Sequence, residues 1–218
     1  MIRVHIFVEG QTEETFVRDL LVPYFAQRQI YLNSILVRTS ATGKGGVINY
    51  AQIKTQLQRK CLEDKAAYVT TMFDLFRLPK TFPGVEASLV IADPLEKASI
   101  IERQIEQDIA IDNFFANLIV HEFEGLLYSN ADCFADWFSG ALPVLRKDML
   151  GAASPEHIND GPNTAPSKRI KRACPGYDKV LHGPLIATSI GLEVIRAKCL
   201  HFDAWLNSIS KLVEGTRR

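Results

Sequence analysis

Apolar positions dominate Ile2-Arg3-Val4-His5-Ile6-Phe7-Val8, the pattern of a strand buried on both faces. Glu9-Gly10-Gln11 breaks the run. Thr12 is expected to cap a helix whose first turn carries Glu13 and Glu14, where negative charge suits the helix dipole. Phe16, Leu20 and Tyr24 give that helix an apolar stripe, and Pro23 is expected to kink or shorten it. A second strand is predicted near Tyr31–Arg38. It is followed by a turn at Thr42-Gly43-Lys44-Gly45-Gly46 and a helix with Tyr50, Ile53, Leu57 and Cys61 on one face. Ala67–Phe73 reads as a third strand ending at Asp74, before a loop punctuated by Pro79, Pro83 and Gly84. Asp93-Pro94 is a strong helix start, and Leu95, Ala98, Ile101, Ile105 and Ile109 recur at helical spacing after it. Phe114–Val120 reads as a fourth strand ending at His121-Glu122-Phe123-Glu124. Strands alternating with helices of this length predict crossover units and an α/β fold with a mainly parallel sheet flanked by helices.

Beyond about residue 140 the pattern changes. Pro143, Pro155, Pro162, Pro166, Pro175 and Pro184 punctuate a loop-rich stretch with short helices, and a last helical pair is predicted over Leu192–Lys198 and Phe202–Val213. The expected organisation is an α/β core over residues 1–139 and a helical extension over 140–218, packed together as one unit.

Composition and charge sharpen this picture. With 47% hydrophobic and 23% charged residues the chain is globular rather than disordered. No apolar run approaches a membrane span, and the N-terminus enters a strand pattern with no room for a leader. Cys61, Cys133, Cys174 and Cys199 form no C-x-x-C pair, which suggests reduced thiols and a cytoplasmic location. Charge sums to zero but is unevenly spread. Residues 1–139 hold 13 Lys and Arg against 18 Asp and Glu, and residues 140–218 hold 12 against 7. A metal-holding core with a basic, polyanion-facing extension fits this split, and so does plain neutralisation across a packed surface.

Functional groups in open parallel sheets gather beyond the carboxyl ends of the strands. Three of the four predicted strands end in acids: Glu9, Asp74, and the pair Glu122 and Glu124. Converging carboxylates repel one another, and a bound cation relieves that repulsion. Hard oxygen ligands favour magnesium or manganese, which can position a phosphodiester and activate a water. Any one of these acids, taken alone, is an ordinary polar loop residue.

Three other signals compete. Gly43-Lys44-Gly45-Gly46 lacks the full phosphate-loop spacing and reads as a flexible turn with one lysine. His121-Glu122 lacks the second histidine of a zinc-peptidase helix, so His121 is expected to be a hydrogen-bonded residue at the sheet edge. Lys168-Arg169-Ile170-Lys171-Arg172 is the densest basic cluster, either a solvated loop or an arm that holds phosphate.

Val8-Glu9-Gly10-Gln11-Thr12-Glu13 resembles the strand-to-helix turn that opens Toprim domains, found in topoisomerases, primases and the overcoming-lysogenization-defect nucleases. Over nearly its whole length the chain resembles an uncharacterised bacterial Toprim-like family. The matching pattern is Glu9–Glu13, Asp74 before Leu78-Pro79 and Phe82-Pro83-Gly84, His121–Glu124, and Pro166–Arg169 followed by Tyr177 and Lys179. The resemblance implies a Toprim-like, Rossmann-like fold and a metal-dependent nuclease or related phosphoryl-transfer protein. Glu9, Asp74, Glu122 and Glu124 would hold Mg2+ or Mn2+. Glu9 would also act as general acid or base, Glu13 would be a secondary ligand, and Lys168 and Arg169 would hold phosphate. It also implies nucleic acid and a partner ATPase, in a bacterial defence or mobile-element setting, with no membrane. Many Toprim domains carry Asp-x-Asp where this chain has Asp74-Leu75-Phe76. That departure leaves open a non-catalytic Toprim-like subunit that binds a partner ATPase or nucleic acid.

Overall fold

The computed structural model describes residues 1–38, 49–158, 161 and 163–215; the Gly43–Gly46 turn lies outside the described residues. Strands β1 (Ile2–Val8), β2 (Ile30–Leu36), β3 (Tyr68–Asp74), β4 (Phe114–Phe115) and β5 (Leu118–Ile119) form one sheet, ordered β2-β1-β3-β4 with β5 also on β3. Every pairing is parallel. The central strands β1 and β3 are buried along most of their length, because both faces of the sheet are covered.

Side chains alternate across the pleat and divide the core in two. Val4, Ile6, Val8 and Met72 pack on one face, with Phe16, Phe123, Phe202 and Trp205. Phe7, Val69 and Phe73 pack on the other, under helices α3 (Tyr50–Glu63) and α4 (Pro94–Ile109). Asn49 caps α3 by accepting from Ala51 N, and Asp93 caps α4 by accepting from Leu95 N and Glu96 N.

Pro23 acts by a route the sequence does not reveal. Helix α1 (Gln11–Phe16) runs into a π-helical turn, Val17–Leu21, and then into α2 (Val22–Ala26), where Pro23 occupies the opening turn. The wider turn accommodates the missing N–H without ending the helix.

The fourth strand expected over Phe114–Val120 is instead two short pieces, β4 and β5. Between them the Thr71 hydroxyl donates to Asn117 O and accepts from Asn117 N, replacing ladder bonds. On the outer edge Glu106 accepts from Ala116 N and Glu102 accepts from Leu118 N. Side chains thus satisfy an edge that would otherwise be open.

The C-terminal stretch is more helical than its prolines suggest. It comprises α5 (Phe123–Leu127), α6 (Leu142–Asp148), α7 (Pro166–Ala173), α8 (Lys179–Ile190), α9 (Leu192–Lys198) and α10 (Leu200–Gly215). Helix α8 keeps Pro184 in its interior because Pro184, Ile186, Ala187 and Ile190 are buried, and tertiary packing outweighs the lost bond. Phe16 of α1 meets Phe123 of α5 at 5.3 Å and Phe202 of α10 at 6.0 Å between ring centroids, so the chain's two ends share one core. No single helix among the described residues is long and apolar enough to cross a membrane.

Candidate functional site

Four acids from four elements meet beyond the carboxyl ends of β1 and β3. Glu9 follows the last residue of β1, and its Oε1 accepts from the backbone N of Asp74 at 3.0 Å. Asp74, the last residue of β3, accepts from Phe123 N through Oδ1 at 2.9 Å. Glu13 lies in the first turn of α1 and Glu124 in the first turn of α5, with side chains only 5% and 1% exposed.

The Lys179 ammonium stands at their centre. It lies 3.2 Å from Glu13 Oε1, 3.5 Å from Glu124 Oε2 and 3.6 Å from Asp74 Oδ2. Lys179 is the first residue of α8, where Asp178 caps the helix through Val180 N and Leu181 N. Two glycines make room for this convergence. A Cβ on Gly10 would sit 3.2 Å from Glu13 Oε2. One on Gly183 would crowd Phe123 at 3.1 Å and the Tyr177 hydroxyl at 3.3 Å, pushing α8 away from α5.

Charge here is unbalanced. Burial raises the Glu9 pKa to about 7, helped by the Glu13 charge and opposed by the Asp74 N–H and Lys179. Burial likewise raises Asp74 well above the ordinary carboxylate range, with Lys179 pulling it down and Glu9, Glu13 and Glu124 pushing it up. Glu124 is raised by burial against the pull of Lys179. Burial disfavours the Lys179 charge too, but Asp74, Glu124 and Glu13 overcome that and hold it protonated. Tyr177, 7% exposed beside this cluster, has its hydroxyl raised first by burial and then by Glu124.

The expected site residues divide. Glu9, Glu13, Asp74 and Glu124 come together. Glu122 does not join them. His121 adopts a left-handed backbone (φ 64°) that turns the chain sharply between β5 and α5. Glu122 then points to the start of α7, accepting from Ser167 N at 2.9 Å and Ser167 Oγ at 3.1 Å. Its carboxylate is a helix cap.

Arg169, expected to hold phosphate, is engaged elsewhere. Its Nη1 lies 3.0 Å from Asp148 Oδ1 and its Nε donates to Thr164 O at 2.5 Å. Lys168 is exposed on α7. The carbonyl of His121 accepts from Phe76 N at 2.7 Å at the end of the sheet.

Lys179 has no assigned role in the sequence reading, although it appears in the motif pattern. The available signal is its position: one lysine opening a helix whose only other ionisable residue is His182.

Among the described residues no group of three or more His, Cys, Asp and Glu side chains is arranged to hold a metal ion. As they stand, the acids surround an ammonium. Their oxygen donors and excess negative charge suit a hard dication, and both Glu124 oxygens are buried without a hydrogen-bond partner. Their geometry suits Lys179.

No curated protein matches the chain. Among solved structures it is similar to the C-terminal region of the OLD protein of Xanthomonas campestris pv. campestris, at 15% identity and a TM-score of 0.45, over 100% of this chain and 98% of that one. Residues 8–210, which include every member of the acidic crevice, match the family described as domain of unknown function DUF4276, and the chain belongs to that family.

Proposed function

We propose that the crevice around Lys179 is the centre of a Toprim-like, divalent-cation-dependent phosphodiester hydrolase acting on nucleic acid. The observation that carries this reading is the meeting of four carboxylates with one ammonium at the carboxyl edge of a parallel sheet. An excess of buried negative charge calls for further positive charge, and Mg2+ or Mn2+ supplies it in the hardest form.

Glu9, Glu13, Asp74 and Glu124 are the residues that would hold the cation, with Lys179 giving way or sharing the crevice. A bound cation would stabilise charge on phosphate oxygens and lower the pKa of a bound water. The chain's own groups have complementary roles. Glu9, with a pKa of about 7, can hold or release a proton near neutrality. Asp74 is fixed by the Phe123 N–H, so its other oxygen, the one facing Lys179, keeps one direction. Lys179 offers a point charge to a phosphate oxygen. Lys168, exposed on α7, remains available to a nucleic-acid backbone, whereas Arg169 is committed to Asp148. A cytoplasmic location and a partner ATPase in a bacterial defence or mobile-element setting belong to the same proposal and rest on the Toprim resemblance.

A second reading draws on the Lys179 contacts themselves. An ammonium ion-paired to three acids can be a finished structural hub in a non-catalytic subunit that binds an ATPase or nucleic acid. Asp74→Asn separates the two, because asparagine retains an oxygen for Phe123 N while losing the charge. The hydrolase reading expects manganese to raise the melting temperature of the parent and support cleavage of plasmid or single-stranded DNA or RNA. In the variant both effects should be lost while the metal-free fold persists. Absence of both effects in the parent, alone and with the partner ATPase, selects the hub.

A further inference from the structure

Just beyond Asp74 a small cavity of about 160 Å3 opens between the loop that leaves β3 and helix α4. Leu75, Leu78, Val85 and Ile101 make its walls apolar, and Arg77 and Lys97 bring it two positive charges. Among the described residues no Asp or Glu lines it. Neither the guanidinium of Arg77 nor the ammonium of Lys97 makes an ion pair or a hydrogen bond among the described residues. Arg169, Arg172 and Lys179, in contrast, each face a carboxylate. Lys97 is also only partly exposed, a setting in which an ammonium is normally paired.

The loop fixes where the guanidinium sits. Leu75 N donates to Ile119 O at 2.9 Å and Phe76 N to His121 O at 2.7 Å, which pins the chain to the end of β5. Arg77 then takes a left-handed backbone (φ 61°), uncommon for a residue with a side chain and concentrated at binding sites. Its guanidinium lies 5.0 Å from the centre of the Phe76 ring, a cation–π contact that orients the charge without neutralising it. Arg77 is three residues from Asp74, which limits their separation to ~10 Å. Each strand of a duplex carries a phosphate every ~3.4 Å along the axis, so a backbone entering the crevice reaches Arg77 about three phosphates along. The cavity is smaller than the ~300–1,000 Å3 of small-molecule sites and suits one group of a larger ligand. Two uncompensated cations select an anionic group, which Arg grips in bidentate fashion and Lys attracts as a point charge.

We propose that Arg77 and Lys97 form a phosphate subsite that holds the sugar-phosphate backbone of a nucleic acid beside the acidic crevice. The choice of nucleic acid as the ligand rests on the hydrolase reading, whereas the anion-binding role rests on the two unpaired cations. Arg77 and Lys97 thus take the place that the basic cluster of α7 cannot fill while Asp148 holds Arg169.

The test is fluorescence anisotropy of a labelled single-stranded oligonucleotide and its duplex, titrated with the full chain over a series of salt concentrations, with calcium in place of manganese. Arg77→Gly suits the left-handed turn and Lys97→Gln suits the helix, so the double variant should keep the parent's melting temperature. It should bind roughly tenfold more weakly. The slope of log affinity against log salt should shrink by ~1.4 on the single strand, since each lost phosphate contact contributes ~0.7. Arg77→Lys keeps the charge and should retain most of the slope. Arg103→Ala with Lys211→Ala, exposed on α4 and α10, removes the same charge elsewhere and should leave the slope unchanged. The subsite is overturned if the parent binds neither oligonucleotide, if the double variant keeps the parent's slope, or if the control pair lowers it as much. Cleavage assays with manganese separate the two readings. A slope that depends on Arg77 and Lys97 in a chain that never cleaves keeps the subsite and removes the hydrolase; an unchanged slope in a chain that cleaves does the reverse.

Discussion

Two of the charge clusters among the described residues have opposite stoichiometry. At Asp148, 8% exposed, one carboxylate accepts from Arg169 and Arg172 at 3.0 Å each and from the Tyr128 hydroxyl at 3.2 Å. At Lys179 one ammonium faces Glu13, Asp74 and Glu124, with Glu9 bonded to the Asp74 backbone behind them. The first cluster gives its single acid three donors and two positive charges, and it ties α6 to α7. The second leaves acids in excess, raises the pKa of three of them, and leaves both Glu124 oxygens without hydrogen bonds. A satisfied cluster is a clasp. An unsatisfied one has capacity for a further cation or proton, and the difference can be tested from both sides.

The largest effect is expected at Lys179. Lys179→Met removes the only cation that, among the described residues, lies within ion-pair distance of these acids, and breaking a buried pair from one side costs about 4 kcal/mol. The melting temperature should fall, and added manganese should recover more of the loss than it adds to the parent, because the vacated space is lined by oxygen ligands. A drop that manganese does not touch would merge the two clusters into one class of structural ion pair.

The next effect is a pH dependence. The folded-state pKa of Glu9, about 7, lies above its ordinary 4.5, so the folded chain keeps a proton that the unfolded chain releases. The stability this group contributes is therefore full below 4.5 and is lost as pH rises towards 7, by up to roughly 3 kcal/mol. Asp74 and Glu124, also raised, act in the same direction. Glu9→Gln keeps an oxygen for the Asp74 N–H and should flatten the fall in urea stability between pH 5 and 7.5. An unchanged slope would show that Glu9 is not the titrating group.

The smallest effect belongs to the clasp. Asp148→Asn leaves the Arg169 side chain, 17% exposed, without its counter-charge and should destabilise by about 2 kcal/mol. The loss should be the same with and without manganese. A metal-sensitive loss would place Asp148 in the functional network rather than in the fold.

Much of the architecture is legible along the chain because its causes are local. The two-sided apolar runs at Ile2–Val8 and Tyr68–Asp74, the Asp93-Pro94 cap and the periodic isoleucines of α4 each reflect a short-range rule, and each element lies where those rules put it. The acids at the ends of β1 and β3 were readable for the same reason, since a parallel sheet brings consecutive strand ends to one edge.

Glu122 and Glu124 show where that reading stops. They are two residues apart and equivalent in the sequence pattern. The left-handed turn at His121 and the start of α7 send one to cap a helix and the other into the crevice. Arg169 likewise looks like a phosphate ligand until Asp148, far away in sequence, claims it. Helix α8, hidden behind Gly183 and Pro184, exists because its apolar face is buried, and it carries Lys179 to the centre of the acids. Strand, cap and period are determined by neighbours along the chain. The pairing of buried charges is decided only when distant elements pack, because the free energy of each ion depends on what surrounds it.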